Sequence, residues 1–140
     1  MRRFADKVSV ITGAGSGIGR ALSVELAARG ARLALSDVDL VSVAETAALC
    51  EKEGADVRHY QLDVADRAAV HAHADAVAGE FGVVNLVVNN AGVALVAPVA
   101  EMTWDDLEWV MNIDYWGVVH GTKAFLPHLI SSGDGGEYVM

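Results

Sequence analysis

Residues 12–19 read TGAGSGIG and stand between an apolar run at 8–11 and a stretch that carries Leu22 and Leu26 on one helical face. Glycine lets a backbone turn sharply and approach a ligand closely. The unpaired N–H groups at the start of a helix attract an anion. This stretch therefore predicts a phosphate-binding turn between a strand and a helix, with the pyrophosphate of a dinucleotide as its ligand.

The spacing of these glycines excludes two common phosphate loops. If Gly13 opened a G-x-G-x-x-G motif, the third glycine would fall on Ile18. A nucleoside-triphosphate loop needs lysine after its last glycine, and here Arg20 follows Gly19. The remaining pattern is T-G-x-x-x-G-x-G.

Length and composition indicate one compact domain over residues 1–140. The net charge of −9 argues against a nucleic-acid partner. The most apolar window, 83–100, contains three asparagines and Pro98, so no membrane span is predicted. The first residues carry no apolar leader, which favours a cytoplasmic location. The single cysteine, Cys50, excludes an internal disulfide.

Hydrophobic periodicity predicts alternating strands and helices. Strands are expected at 7–12, 32–36, 57–62 and 83–88, and helices at about 18–30, 40–53 and 70–81. Thr103 and Asp106 have the spacing of a capping box and predict a short helix, followed by a longer helical segment over 107–129. Residues 133–136 are expected to form a loop, and 137–140 the beginning of a fifth strand.

This alternation predicts an α/β fold, a Rossmann-like doubly wound parallel sheet with strand order 3-2-1-4-5. The chain is expected to stop within strand five. Ligands of such sheets bind beyond the carboxyl ends of the strands, near the point where the strand order reverses. Here that point lies between strands one and four.

Two polar groups follow predicted strands at this edge. Asp37 closes strand two and has the spacing from Gly19 at which a carboxylate accepts hydrogen bonds from a ribose; the alternative is a loop acid beside a helix cap at Asp39. Asn89 and Asn90, followed by Ala91 and Gly92, come after strand four. Their small neighbours suit close approach to a ligand, and the asparagines alone could serve to satisfy backbone groups.

The glycine loop, Asp37, the Asp63-Val64 pair and N-N-A-G together resemble the short-chain dehydrogenase/reductase family over the whole chain. The resemblance implies hydride transfer between NAD(P) and an alcohol or carbonyl, with Asp63 and Val64 at the adenine edge. Ser16 and Val38 stand where NADP-binding members usually carry a basic residue, so NAD is expected rather than NADP. The cofactor-binding residues so implied are Gly13, Gly15, Ser16, Gly17, Ile18, Gly19, Asp37, Asp63, Val64, Asn90, Ala91 and Gly92.

The family's catalytic serine and Tyr-x-x-x-Lys would lie beyond Met140, so the catalytic part is expected to be missing from this chain. Asp114 aligns with the family's catalytic asparagine and is the candidate catalytic residue. An aspartate could keep a main-chain role there, while its charge would disturb a proton relay. Asn112, two residues earlier, is interpreted as a helix residue.

Three functions fit these observations. The first is the cofactor-binding portion of an NAD-dependent oxidoreductase, which meets a small alcohol or carbonyl substrate only if the chain is completed. The second is a non-catalytic NAD-binding module that acts through association. The third is a flavodoxin-like domain without dinucleotide chemistry, which leaves N-N-A-G unexplained. Binding of NAD would discriminate the third, and Trp104, Trp109 and Trp116 lie near the predicted cleft as fluorescent reporters.

Association is expected because an incomplete sheet would expose an apolar edge. The chain is thus predicted to form a homo-oligomer or to pair with a complementing chain. Gly117 and Gly121 would permit close packing, either on the sheet or against another subunit.

No metal site is predicted, because His71 and His73 point to different faces of their helix.

Overall fold

Five parallel strands form one sheet in the order β3-β2-β1-β4-β5. The computed structural model describes residues 3–133 and 136–139. The strands are β1 (Val8–Thr12), β2 (Arg32–Asp37), β3 (Val57–Gln61), β4 (Leu86–Val88) and β5 (Glu137–Val139). Every neighbouring pair is parallel. The predicted Rossmann-like fold and strand order are therefore confirmed.

Helices connect the strands and cover both faces of the sheet. They are α1 (Gly17–Ala28), α2 (Leu40–Lys52), α3 (Arg67–Phe81), α4 (Trp104–Asp114) and α5 (Trp116–Ser131), with a 3₁₀ turn over Val99–Glu101. The predicted caps are present: the Asp39 carboxylate accepts from the Ser42 N–H at 3.1 Å, and Thr103 and Asp106 form a reciprocal capping box. These side chains fix where α2 and α4 begin.

The core lies on both sides of β1, whose residues are all buried. Val8 and Val10 face one apolar cluster and Ile11 faces the other. The first cluster brings in α3 and α5 through side chains such as Val77 and Phe125. The second brings in α1 and α2, for example through Val43. A central strand covered on both faces is what the continuous apolar runs of the sequence predict.

Two predicted boundaries are wrong. The helical segment expected over 107–129 is interrupted at Tyr115, so that α4 is an 11-residue helix and α5 starts at Trp116. The strand expected over 83–88 begins only at Leu86. There the Asn85 side chain takes the place of a backbone carbonyl, because its Oδ1 accepts from the Val8 N–H at 2.8 Å.

Some predictions fall on residues outside the description. Gly133 forms a bend, while the rest of the expected glycine loop includes residues 134–135, which lie outside the described residues. Met140, the last residue of the expected fifth strand, lies outside them as well. Over 3–133 and 136–139, no helix has both the length and the apolar character needed to cross a bilayer.

Candidate functional site

A cavity of about 480 Å³ opens beyond the carboxyl ends of β1 and β4, where the strand order reverses. We refer to it as the cleft. Its lining includes ten of the twelve predicted cofactor residues: Gly13, Ser16, Gly17, Ile18, Asp37, Asp63, Val64, Asn90, Ala91 and Gly92. The other two, Gly15 and Gly19, are buried next to lining residues, Gly15 beside Asp37 and Gly19 beside Gly13 and Asn90. The structure thus brings the four sequence motifs together in one place.

The glycine loop is packed too tightly for side chains. A Cβ on Gly19 would lie 2.2 Å from the Gly13 carbonyl oxygen, and one on Gly13 would lie 2.8 Å from the Ala91 Cα. Gly13 also has a φ of +65°, which disfavours other residues. The loop passes into α1 at Gly17, so the first turn of this helix borders the cleft. Its N–H groups are suited to an anion there.

Asp37 is held in the cleft wall by backbone donors. Its Oδ2 accepts from the Gly15 N–H at 2.9 Å, and its Oδ1 accepts from the Asp39 N–H at 3.0 Å. A carboxylate can accept further hydrogen bonds, so both oxygens retain capacity for a ligand. Asp39 is the cap of α2, and hydrogen bonds from Ser42 lower the pKa of its carboxyl group. Asp39 is thus the helix cap that the alternative expected, and the ribose function of Asp37 stays a prediction.

The loops after β1 and β4 are tied to each other. The Thr12 hydroxyl accepts from the Asn90 N–H at 3.1 Å and from the Ala91 N–H at 3.0 Å. In return, the Asn90 amide donates to the carbonyls of Thr12 and Gly13 at 3.1 and 3.2 Å. Asn90 therefore satisfies backbone groups, as the structural alternative proposed, and by the same bonds it shapes the wall of the cleft.

Helix α5 supports the cleft from below. A Cβ on Gly117 would lie 2.7 Å from the Val64 Cγ2, and one on Gly121 would lie 2.2 Å from the Asn89 Oδ1. The close packing predicted for the two glycines is therefore made within this chain, at the ends of β3 and β4. His120, between them, contacts the Val64 carbonyl oxygen through Nδ1 at 3.1 Å.

Asp114 does not line the cleft. It is the last residue of α4, and its Oδ1 accepts from the Val93 N–H at 2.8 Å. Val93 directly follows N-N-A-G and does line the cleft. The carboxylate of Asp114 therefore holds this loop through its backbone. Asn112 is an exposed residue of α4, as the sequence indicated.

Several cleft residues were not predicted from the sequence. Ile113 on α4 is one of them. It lines the cavity together with Trp109, one turn earlier, which the sequence placed near the cleft along with Trp104 and Trp116; the lining includes neither of these two. Val38, Leu62 and Val93 add to the apolar lining. The spacing of Ile113 from Trp109 is the signal that could have found it, because residues four apart share a helix face. In the part of the chain that is described, no group of three or more His, Cys, Asp or Glu side chains could hold a metal.

Comparison with known proteins agrees with this geometry. The family model described as short chain dehydrogenase matches residues 7–140. The chain belongs to this family. One relative of the chain is the SadH protein of Mycobacterium tuberculosis, named as an oxidoreductase, which is 56% identical over 135 residues. D-threitol dehydrogenase of Mycolicibacterium smegmatis is 38% identical over 133 residues.

Solved structures of the family share its fold closely. A short-chain dehydrogenase/reductase from Burkholderia phymatum in complex with NAD superposes with a TM-score of 0.94 at 39% identity, over 99% of this chain and 49% of that one. Carveol dehydrogenase from Mycobacterium avium in complex with NAD gives 0.92 at 30% identity, over 99% of this chain and 55% of that one. SadH is matched over 96% of this chain and 49% of its own length, and D-threitol dehydrogenase over 95% and 51%. The chain thus spans about half the length of the curated relatives it matches.

Proposed function

We propose that the chain binds a nicotinamide dinucleotide, NAD in preference to NADP, as the cofactor-binding portion of a short-chain oxidoreductase. The observation that carries this proposal is the cleft itself, whose wall joins the glycine loop, Asp37, the Asp63-Val64 pair and N-N-A-G. The cofactor would supply the hydride acceptor or donor for an alcohol or carbonyl substrate of the whole protein.

The lining suggests which residues would hold each part of the cofactor. The pyrophosphate would meet the loop at 13–19 and the first turn of α1. The adenosine ribose would bind Asp37, and the adenine edge would meet Asp63 and Val64. Asn90, Ala91 and Gly92 would border the ribose of the nicotinamide half, and Asp114 would keep that loop in place by its bond to Val93.

Charge at the mouth of the cleft supports NAD over NADP. A 2′-phosphate next to Asp37 would be repelled by the carboxylate. The basic residue closest to the loop along the chain, Arg20, is already engaged: its guanidinium donates to the Thr46 hydroxyl at 2.9 Å and to the Ser42 carbonyl at 3.1 Å. It also pairs with Glu45. Arg20 therefore stabilises the contact between α1 and α2 and is not free for a phosphate.

Several further roles belong to this proposal. NAD is bound in the Burkholderia phymatum and Mycobacterium avium structures and in a structure of xylitol dehydrogenase. By analogy with the dehydrogenases it matches, the whole protein would transfer hydride between NAD and a small alcohol or carbonyl. We also propose that it works in the cytoplasm and as an oligomer.

Direct titration of the purified chain tests the cofactor. NAD and NADP are added separately, and binding is followed by calorimetry and by tryptophan fluorescence, to which Trp109 in the cleft contributes. We expect NAD to bind at least ~10-fold more tightly than NADP, the ratio that about 1.4 kcal/mol of phosphate repulsion produces. Asp37→Ser should lower this affinity ratio, because it removes hydrogen bonds to NAD and removes the repulsion of the NADP phosphate. Asp105→Ser, at an exposed position on α4, should leave the ratio unchanged.

Two results would count against the proposal. Equal affinity for NAD and NADP in the unaltered chain would remove the role given to Asp37. If circular dichroism shows that the chain is folded and neither dinucleotide binds at millimolar concentration, the cofactor function itself is refuted. If NAD binds and the completed protein transfers no hydride to any alcohol or carbonyl tested, the non-catalytic module becomes the better description.

A further inference from the structure

We propose that His120 is a positioning residue for the adenine end of the cleft, acting through the Val64 carbonyl. This inference rests on the proposed function, because it assigns Asp63 and Val64 to the adenine edge. His120 does not line the cleft and carries no role in the glycine-loop, Asp37 or N-N-A-G motifs. Its only polar contact in the described residues is the one to Val64.

The direction of this hydrogen bond defines the state of the ring. A carbonyl oxygen only accepts, so at 3.1 Å the Nδ1 of His120 must carry the hydrogen. In the neutral ring, Nε2 is then the unprotonated nitrogen. The bond joins residues 56 apart in sequence, on α5 and on the loop after β3. It is thus a tertiary contact that fixes the loop relative to the helix.

The His120 ring is itself oriented by an aromatic neighbour. Trp116, one turn earlier on α5, stacks on it with ring centroids 6.1 Å apart and an angle of 28° between the planes. Tyr115 packs edge-on against the ring of Trp116, with ring centroids 5.1 Å apart. Such contacts restrict the ring without using its nitrogens. The imidazole is therefore held with Nδ1 directed at the loop.

A second, independent contact holds Val64, the residue whose carbonyl accepts from His120. Gly117 approaches Val64 so closely that a Cβ there would lie 2.7 Å from Cγ2. Val64 is 8% exposed and belongs to the core cluster under α3 and α5. The Val64 side chain is thus held by packing and its carbonyl by His120, so both the side chain and the Val64–Ala65 peptide are restrained. The neighbouring Asp63 remains exposed at the cleft, with Oδ1 accepting from the Ala65 N–H at 2.9 Å.

This arrangement predicts a local effect. Loss of the His120 bond should free the Val64–Ala65 peptide to rotate, and with it the Asp63 carboxylate that accepts from the Ala65 N–H. The glycine loop and the N-N-A-G loop, tied together through Thr12 and Asn90, should stay in place. Ligands that contain adenine should then bind more weakly, whereas the affinity for ligands that contain only the nicotinamide half should stay the same. A general loss of stability would lower the affinity for both kinds of ligand.

The test compares His120→Leu and His120→Asn with the unaltered chain, using ADP, nicotinamide mononucleotide and NAD as probes in calorimetric titrations. Leucine removes the donor, whereas the asparagine amide can donate from a position near that of Nδ1. His128 on the same helix provides the matched control, since its ring contacts Asp75 at the other end of α5. His128→Leu and His128→Asn should leave all three affinities unchanged.

We expect His120→Leu to lower the affinity for ADP and for NAD roughly 3- to 10-fold, the range that the loss of one hydrogen bond produces. The affinity for nicotinamide mononucleotide should change less than ~2-fold, and His120→Asn should restore the affinity for ADP to within ~2-fold of the original. Equal losses for ADP and the mononucleotide, or no loss with His120→Leu, would overturn the inference.

A ligand-free measurement separates this inference from the proposed function. ¹⁵N NMR should find the Nδ1–H form of the His120 ring, and the backbone amides of Val64 and Ala65 should shift in His120→Leu but not in His128→Leu. If these signals behave as expected and no dinucleotide binds, the proposed function fails while the positioning contact stands. An Nε2–H ring, or unchanged amides at Val64 and Ala65, would refute the contact whatever the ligand does.

Discussion

At the scale of single residues, His73 is an ionisable side chain buried in the apolar core. It is 7% exposed, lies edge-on to Tyr60 with ring centroids 4.8 Å apart, and faces Phe125 at 5.9 Å. In the described part of the chain its Nε2 has no hydrogen-bond partner. Burial lowers the pKa of this imidazole to about 4, against a weaker opposing effect of the Glu80 charge. The ring is therefore neutral in the folded protein at neutral pH.

This burial makes stability depend on pH. The unfolded chain takes up a proton at His73 near pH 6.5 and the folded chain only near pH 4, so the stabilisation is complete above pH 6.5 and is lost as the pH falls toward 4. By pH 5 the loss should reach about 2 kcal/mol. Urea unfolding of the chain and of His73→Phe at pH 7.5 and pH 5.0 measures it. If the variant loses as much stability as the original chain, the effect does not come from His73.

The same scale shows what a sequence can and cannot predict about a site. The glycine loop, Asp37 and N-N-A-G were predicted correctly as neighbours in one cleft because each lies at the carboxyl end of a strand or directly after it, and the ends of parallel strands meet. His120 was missed. Its contact crosses from α5 to the loop after β3, and residues so far apart in sequence leave no local pattern.

At the scale of elements, α3 contains a glycine that its helix does not need. Gly79 lies within Arg67–Phe81, is exposed, and a Cβ there would meet nothing within 4 Å. Alanine is favoured over glycine inside a helix by about 0.8–1 kcal/mol, so Gly79→Ala should raise the free energy of unfolding by about that amount. Chemical denaturation measures the change.

Gly82 provides the control for this substitution. It ends α3 with a φ of +79°, and a Cβ there also meets nothing within 4 Å. Gly82→Ala should therefore lower the free energy of unfolding by about 1 kcal/mol, since only its backbone conformation opposes the side chain. Equal effects of the two substitutions would mean that helix propensity does not govern this end of α3.

The contact between α5 and the loop after β3 can be tested by a double-mutant cycle. Gly117→Ala should destabilise the protein by about 1–3 kcal/mol, because the new methyl group overlaps the Val64 side chain. Val64→Ala removes that side chain, and the pair of substitutions together should cost less than the sum of the single ones by at least about 1 kcal/mol. Additive losses in thermal or urea unfolding would show that the two residues do not share the space.

The two wrong element boundaries have a common cause. No glycine or proline marks the break at Tyr115, whereas Pro127 lies within α5 without ending it. The break instead coincides with a long-range bond, from the Val93 N–H to Asp114. Likewise β4 starts late because the Asn85 side chain bonds across to Val8. Periodicity describes a segment in isolation, and here partners distant in sequence decide where it starts and stops.

At the scale of the whole molecule, large apolar side chains lie uncovered on the layer that carries α4 and α5. Trp104 is 81% exposed and Ile130 71%. Burial of such surface is the main favourable contribution to association. We expect the chain to self-associate at micromolar concentration, as measured by size exclusion with light scattering.

Substitution should reverse this association. Trp104→Gln combined with Ile130→Gln should shift the chain toward the monomer, whereas Val41→Gln, at a position 70% exposed on α2 in the opposite layer, should not. A chain that is monomeric at ~100 μM without any substitution would contradict the expectation.

The place of β1 at the centre of the sheet bears on the order in which the chain can assemble during synthesis. Its first partner, β2, is complete by residue 37 and β3 by residue 61, so one half of the sheet can form on the ribosome early. The second partner pairs Ser9 with Leu86, and until residues 86–88 have left the exit tunnel one edge of β1 has nothing to bond to. The nascent chain is thus exposed to chaperones and to aggregation at this edge of β1 until β4 has emerged.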